Sequence, residues 1–254
     1  MRRRRALPLL VLTIALVGGA CGADPSDAAG PTTTAGEPVT TTTSTTVPAP
    51  TGVEVAQAKE SSIDVFATEE APAPQRSIVS GVDTSADTIP LVFLVKSTGG
   101  QRLEVYLPVR PNGSVGWVNA SDVELRRVHQ RIEVGLSEHR IRVYDDDELI
   151  VDEPVGVGRA EVPTPGGVYY LKELLQPPNP NGVYGTYAYG LSGFSNVLTS
   201  FNGGSGVIGI HGTNEPEALG TDVSHGCIRV HNDVIERLVE DIGLPLGTPV
   251  EIAA

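Results

Sequence analysis

The stretch Val207 to Val234, VIGIHGTNEPEALGTDVSHGCIRVHNDV, holds one of only two cysteines in this 254-residue chain and three of its five histidines. Cys227 follows His225 by two residues and His211 by sixteen. A cysteine attacks as the thiolate, and an ordinary thiol with a pKa near ~8.5 is only slightly ionised at neutral pH. It therefore needs a base. His211 closes an apolar run, GVIGIH, that reads as a buried strand, and the interval after it lets the chain fold back to Cys227. His225 offers a second imidazole, since in extended backbone its side chain and that of Cys227 leave the same side. Gly226 between them permits a tight conformation, so the backbone N–H groups of Gly226 and Cys227 can face a developing oxyanion. Ser224 can orient a histidine or donate a further hydrogen bond. The candidate catalytic set is thus Cys227, His211 and His225, with Ser224, Gly209, Arg229 and Tyr187 as candidate substrate contacts.

Two other readings of the same cluster stand beside this one. His211, His225, Cys227 and His231 are all zinc-ligand types, but none of the usual paired-ligand spacings occurs, so no metal and no cofactor are expected. A purely structural cluster is the other. Arg229 has the fork suited to a substrate carboxylate, or to pairing with Asp222 or Asp233. His129 and His139 lie in polar, strand-like stretches and read as solvated.

What must position these groups depends first on where the chain resides. It opens MRRRRALPLLVLTIALVGGAC, four arginines, an apolar run and small residues ending at Cys21. This is the pattern of a secretory signal over residues 1–20. The small residues directly before Cys21 resemble a bacterial lipoprotein signal, which implies a lipidated Cys21 and stable attachment to a membrane. In that case Cys227 is left as a lone thiol; the alternatives are a Cys21–Cys227 disulfide or an inert buried cysteine. The protein is expected on the outer face of the cytoplasmic membrane or in the cell wall. Removing the signal shifts the formal charge from −13 to −17. Nucleic acid is a poor partner for such a surface.

Residues 21–52 are rich in Thr, Pro and Ala with little to bury, and read as a disordered spacer spanning roughly 30 Å. Residues 53–125 alternate apolar and polar in short runs (GVEVAQA, SSIDVFA, IPLVFLVKS, RLEVYLPVR, SVGWVNASDVEL) separated by turn residues, as in a small antiparallel barrel. Their ending, VGWVNASDVEL, resembles the close of Src-homology-3-like domains. In residues 126–254, RIRVYDDDELIVDEPV reads as a hairpin turning at Asp145 to Asp147, and GGVYYLKE as a further strand. Leu174 to Asn196 reads as a long irregular lid carrying Tyr184, Tyr187, Tyr189 and Phe194. Asp233 and Glu236 suggest a capping box for a short helix that Gly243 ends, and GTPVEI a last strand.

The segment HGTNEPEALGTDVSHGCIRVHND is similar to the signature of YkuD-type L,D-transpeptidases: a histidine, about fifteen residues, then Ser or Thr, His, Gly and Cys. The resemblance covers roughly Val128 to Ile252. It implies a mainly β fold, an L,D-transpeptidase-type β-sandwich with few short helices, preceded here by the small Src-homology-3-like barrel. It further implies a peptidoglycan cross-linking enzyme, expected to be monomeric, that acts on stem peptides. Cys227 would carry the acyl group, His211 would act as base, and backbone N–H groups around His225, Gly226 and Cys227 would hold the oxyanion. Many members carry Asn two residues after the cysteine, where this chain has Arg229, so that residue's role does not transfer; Asn232 is a candidate substitute. The same nucleophile with water as acceptor would make a carboxypeptidase or cross-link hydrolase, and a wall-binding lipoprotein with a structural cysteine is the non-enzymatic reading.

Overall fold

Alternation of β-branched and polar residues dictates most of the architecture. In the computed structural model, which describes residues 51–81, 88–200 and 204–254, the chain is mainly β. The expected signal, Cys21 and the spacer up to residue 50 lie outside the described residues, among which no helix is long and apolar enough to cross a membrane.

The N-terminal strands are β1 (Val53–Ala58), β2 (Ser62–Val65), β3 (Arg76–Val79), β4 (Val92–Thr98), β5 (Arg102–Tyr106), β6 (Val115–Asn119) and β7 (Val123–Val128). Five of them form an antiparallel sheet in the order β6-β5-β4-β1-β7, and β2 and β3 form a separate hairpin tied to β6 through a Phe66–Trp117 bridge. Strand β3 carries no apolar alternation and was not legible in the sequence. Ala56, Val65, Phe93, Val105 and Val118 form the core of this part.

The first sheet runs to Val128 and the next begins at Gln130, with only His129 between. Strands β8 (Gln130–Gly135), β9 (Arg140–Asp145) and β10 (Glu148–Pro154) make a meander whose inner face carries Ile132, Val134, Ile141 and Val143. Each of these fully buried side chains contributes about 1.5–3 kcal/mol. The β9–β10 turn at the three aspartates is as the sequence indicates, with Asp146 at φ +49°. Strands β11 (Val157–Gly158), β12 (Gly167–Leu175), β13 (Ala188–Phe194), β14 (Val207–His211), β15 (Asp222–Ser224), β16 (Ile228–Arg229) and β17 (Pro249–Ala253) complete the fold. The main sheet has the order β10-β9-β8-β17-β12-β13-β14-β16, and β11 pairs with β15 alongside it. Its core is closed by Ile235 and Leu238 of the helical segment that begins as α1 (Asn232–Glu236).

Two sequence expectations are corrected. The irregular lid over Leu174 to Asn196 shrinks to the stretch between β12 and β13, because Ala188–Phe194 is a buried central strand. Its small residues, which look like loop composition, serve close packing: a Cβ on Gly193 would lie 2.3 Å from the Tyr169 ring, and one on Gly190 2.4 Å from the Glu173 carboxylate. Nor does Asp233 cap the helix. His231 is the N-cap, without a side-chain cap bond, so Asp233 lies one residue inside the first turn. The helix widens after Glu236, with Ile242 N–H reaching Arg237 O at 2.9 Å, and ends at Gly243, φ +66°.

The two sheets meet through an apolar cluster of Val55, Val92, Leu94, Val128 and Tyr170. Gly247 abuts Val55, and the Arg126 guanidinium donates to Leu246 O.

Gly193→Ala must push its methyl into a tyrosine ring that is itself 2% exposed. It is expected to lower unfolding free energy by about 1–3 kcal/mol, measured as a shift in the urea midpoint at unchanged slope.

Candidate active site

The site is built where a strand end meets a turn. Strands β14 and β16 pair in parallel, with Ile210 opposite Ile228 and His211 opposite Arg229. Val230 N–H adds a bond to His211 O at 2.9 Å. On its other side β16 is gripped by Gly156, which exchanges two backbone bonds with Arg229, at 2.9 and 2.8 Å. A two-residue strand held on both edges fixes the residue just before it, Cys227.

Between β15 and β16 the chain makes the turn Ser224-His225-Gly226-Cys227. Gly226 stands at φ +109°, a backbone region that a side chain strains. Ser224 is buried, and its hydroxyl braces the turn, donating to Cys227 O at 2.5 Å and accepting from Gly226 N–H at 3.1 Å. Two expectations are corrected here. Gly226 N–H is taken by Ser224 and does not serve an oxyanion. The backbone between His225 and Cys227 is not extended, so the common-side argument fails; His225 is exposed and its Nε2 accepts from the Arg159 guanidinium. His225 belongs to the rim, and His211 is the buried imidazole.

His211 and Cys227 line the same cleft of about 250 Å3, together with Tyr184, Ser195, Leu198, Gly206, Ile208 and Arg229. The imidazole Nδ1 lies 2.6 Å from Gly212 O. A carbonyl only accepts, so Nδ1 carries the proton and Nε2 keeps its lone pair. Tyr184 meets the ring edge-on, with centroids 4.9 Å apart. The carbonyl and the tyrosine are brought there by a tight loop contact: a Cβ on Gly185 would sit 2.7 Å from Gly212 Cα, and Asn232 Oδ1 accepts from Thr213 N–H at 2.9 Å. Asn232 therefore orders the loop behind His211.

Burial sets the electrostatics of the pair. It pushes His211 from 6.5 down to about 4, helped by the positive charge of Arg229 and opposed by the bond to Gly212. It pushes the Cys227 thiol up, opposed by a hydrogen bond from Gly209 N–H and by Arg229. Both shifts favour the uncharged forms, so the resting pair is thiol and neutral imidazole.

The remaining candidates divide. Arg229 lines the cleft with its side chain 15% exposed, and pairs with Glu215 at 2.7 Å, not with Asp222 or Asp233. Gly209 is a buried strand residue that bonds the thiol; any Cβ there would meet Tyr189 O at 2.7 Å. Tyr187 points away: its hydroxyl donates to Glu240 at 2.8 Å, and it lines a separate groove. Tyr189 is in the core, donating to Leu244 O, and Phe194 is buried in β13. Of the four aromatics only Tyr184 reaches the cleft. His139 and His129 are paired with Asp222 and Asp146, at 2.8 and 2.7 Å. Among the described residues, no three His, Cys, Asp or Glu side chains converge as a metal site, and Cys227 is a free thiol. Sequence reasoning missed Glu215, Gly156 and Arg159, whose types and spacing carry no signal.

The second half of the chain is similar to known proteins. Residues 129–252 match the family YkuD, described as the L,D-transpeptidase catalytic domain. The putative L,D-transpeptidase YkuD of Bacillus licheniformis is 36% identical over 122 residues, 48% of this chain and 64% of that protein. Its namesake in Bacillus subtilis is 36% identical over 99 residues, 39% of this chain and 51% of that one. The solved catalytic domain of the E. faecium L,D-transpeptidase is 24% identical with a TM-score of 0.35, covering 49% of this chain and 96% of that chain. The matches span about half to two thirds of the length of these two curated relatives.

Because the fold disfavours a charged His211, the unfolded chain takes up that proton first as pH falls below 6.5. Stability is full above that value and declines until pH reaches about 4. The expected loss is about 3 kcal/mol, measured as the part of the urea-unfolding pH dependence that His211→Gln removes. An unchanged pH dependence in the variant would show that His211 is not held neutral.

Proposed function

We propose, from the premise that residues 129–252 belong to the YkuD family of L,D-transpeptidase catalytic domains, that this protein cross-links peptidoglycan stem peptides through a thioester on Cys227. The observation that carries the reading is the convergence of a free thiol and a buried imidazole, tautomerically fixed with Nε2 as acceptor, on one cleft.

The chemistry follows from those two groups. Cys227 Sγ attacks the carbonyl carbon joining the third stem residue, a diamino acid, to a terminal D-alanine. His211 Nε2 takes the thiol proton as the C–S bond forms, so charge develops only during attack. The oxyanion is held by backbone N–H, with Cys227 N–H as the assigned donor. When the carbon–nitrogen bond breaks, His211 returns its proton to the departing D-alanine amine and leaves a thioester. An amine of a second stem then attacks that carbonyl, passes its proton through His211 to the sulfur, and releases the free thiol with a new amide. The bond energy is conserved in the thioester, so no nucleotide is needed. The uncharged resting pair suits this sequence, because the thiol gives up its proton to His211 only as the C–S bond forms. Arg229, at the cleft wall beside both groups, is the assigned partner of a stem carboxylate.

The rest of the chain fits the same setting. Residues 1–20 are assigned as an export signal, Cys21 as the lipid-bearing residue, residues 21–52 as a tether, residues 53–128 as an accessory β domain, since β7 stays in the first sheet to Val128, and residues 129–254 as the catalytic domain, an order that suits an enzyme working outside the cytoplasmic membrane.

Purified protein given a stem tetrapeptide is expected to release D-alanine and form a dimer, and Cys227→Ala to lower that turnover by at least about 10^3. Tripeptide alone would make the protein a hydrolase, and unchanged turnover in Cys227→Ala would remove the cysteine from catalysis. Intact-mass analysis after a carbapenem should show one adduct, absent from Cys227→Ala.

A further inference from the structure

One wall of the Cys227 cleft is held from outside the catalytic segment. The wall consists of Ser195 and Leu198 after β13, and Gly206, Val207 and Ile208 at the start of β14. Within it, Ser195 N–H donates to Gly206 O at 2.8 Å, Ser195 Oγ accepts from Val197 N–H at 3.2 Å and Leu198 N–H at 3.0 Å, and Phe194 pairs with Val207 across β13 and β14. Arg110 and Asn112, in the turn between β5 and β6 of the first sheet, add bonds from outside it.

The Arg110 guanidinium donates to three carbonyls of this wall: Nη1 to Ser195 O at 2.7 Å, and Nη2 to Leu198 O at 2.9 Å and to Ser205 O at 3.0 Å. Its Cζ also stands 4.8 Å from the Phe194 ring centroid. Asn112 grips the Phe194 backbone from both sides, Nδ2 donating to Phe194 O at 2.7 Å and Oδ1 accepting from Phe194 N–H at 2.9 Å. These partners lie 82 to 95 residues apart in sequence. The fit is close at Gly206, φ +71°, where a Cβ would lie 2.4 Å from Leu198 O and 3.2 Å from Arg110 Nη2.

A planar, permanently charged fork with several donors can hold diverging carbonyls in one geometry, which a single ammonium cannot. Three wall carbonyls thereby point to the guanidinium, and the strand that ends in His211 starts from a fixed point.

We propose that Arg110 and Asn112 are positioning residues for the reaction at Cys227: they set the shape of the cleft wall that receives the stem peptide, and so make acyl transfer depend on the N-terminal sheet. This rests on the transpeptidase reading of the site. Neither residue touches the thiol or the imidazole, so the nucleophile itself is unaffected by their loss. What changes is the fit of the substrate.

The test compares full-length wild type with Arg110→Ala, Arg110→Lys and Asn112→Ala. Hydrogen exchange of amides 195–198 and 206–208 should quicken by at least about tenfold in both alanine variants, with β12 and β17 unchanged. Alkylation of Cys227 by iodoacetamide should stay within about twofold, while kcat/KM for the stem tetrapeptide falls at least about tenfold, chiefly through KM, and Arg110→Lys recovers part of it. Unchanged exchange in the wall, equal quickening across every strand, or an unchanged kcat/KM would each overturn the proposal. If wild type does not turn over the tetrapeptide, the transpeptidase reading fails by itself, and the exchange pattern still decides whether the wall is held from the first sheet.

Discussion

The site depends on the parallel pairing of two very short segments. Strand β16 is two residues long, and left to itself would not hold a register. It holds one because β14 pairs it on one edge and Gly156 on the other. Backbone hydrogen bonds thus fix the position of Cys227 from both sides, and only the turn before it remains to be specified. Gly226 and Ser224 specify that turn, one by a backbone angle closed to other residues and the other by a hydroxyl that satisfies a donor and an acceptor at once.

With the geometry set by backbone, side chains are left to set charge. A cysteine–histidine pair can rest as an ion pair or as neutral groups, and the surroundings choose. Here burial acts on both in the same sense, against either ion, and Arg229 makes an imidazolium less favourable still. The same guanidinium favours the thiolate once the proton has left. An exposed glutamate, Glu215, partly offsets Arg229 and keeps it in place. At rest the arrangement therefore keeps both groups uncharged.

The two sheets are one mechanical object over the described residues. An apolar cluster joins them at one place, and the Arg110 and Asn112 turn joins them at another, next to the cleft. A one-residue connection at His129 leaves little freedom between them. The cleft is therefore formed on one sheet and partly shaped by the other.

Read alone, the chain yields the cysteine candidate, two histidines that could serve as its base and most strands, because a thiol without a base is inert and because alternating Val, Ile and polar residues have one economical conformation. The β9–β10 hairpin and the strand ending in His211 were legible for that reason. It misread Ala188–Phe194, since glycine and serine signal a loop locally and a close approach of neighbours globally, and only the tertiary packing against Tyr169 tells the two apart. Tertiary structure alone decided which imidazole is buried, that Gly226 N–H is already occupied, that Tyr184 and not Tyr187 faces the cleft, and that a turn some 85 residues upstream holds the wall. Each of these is a contact between residues distant in sequence, and local pattern carries no information about which distant group arrives.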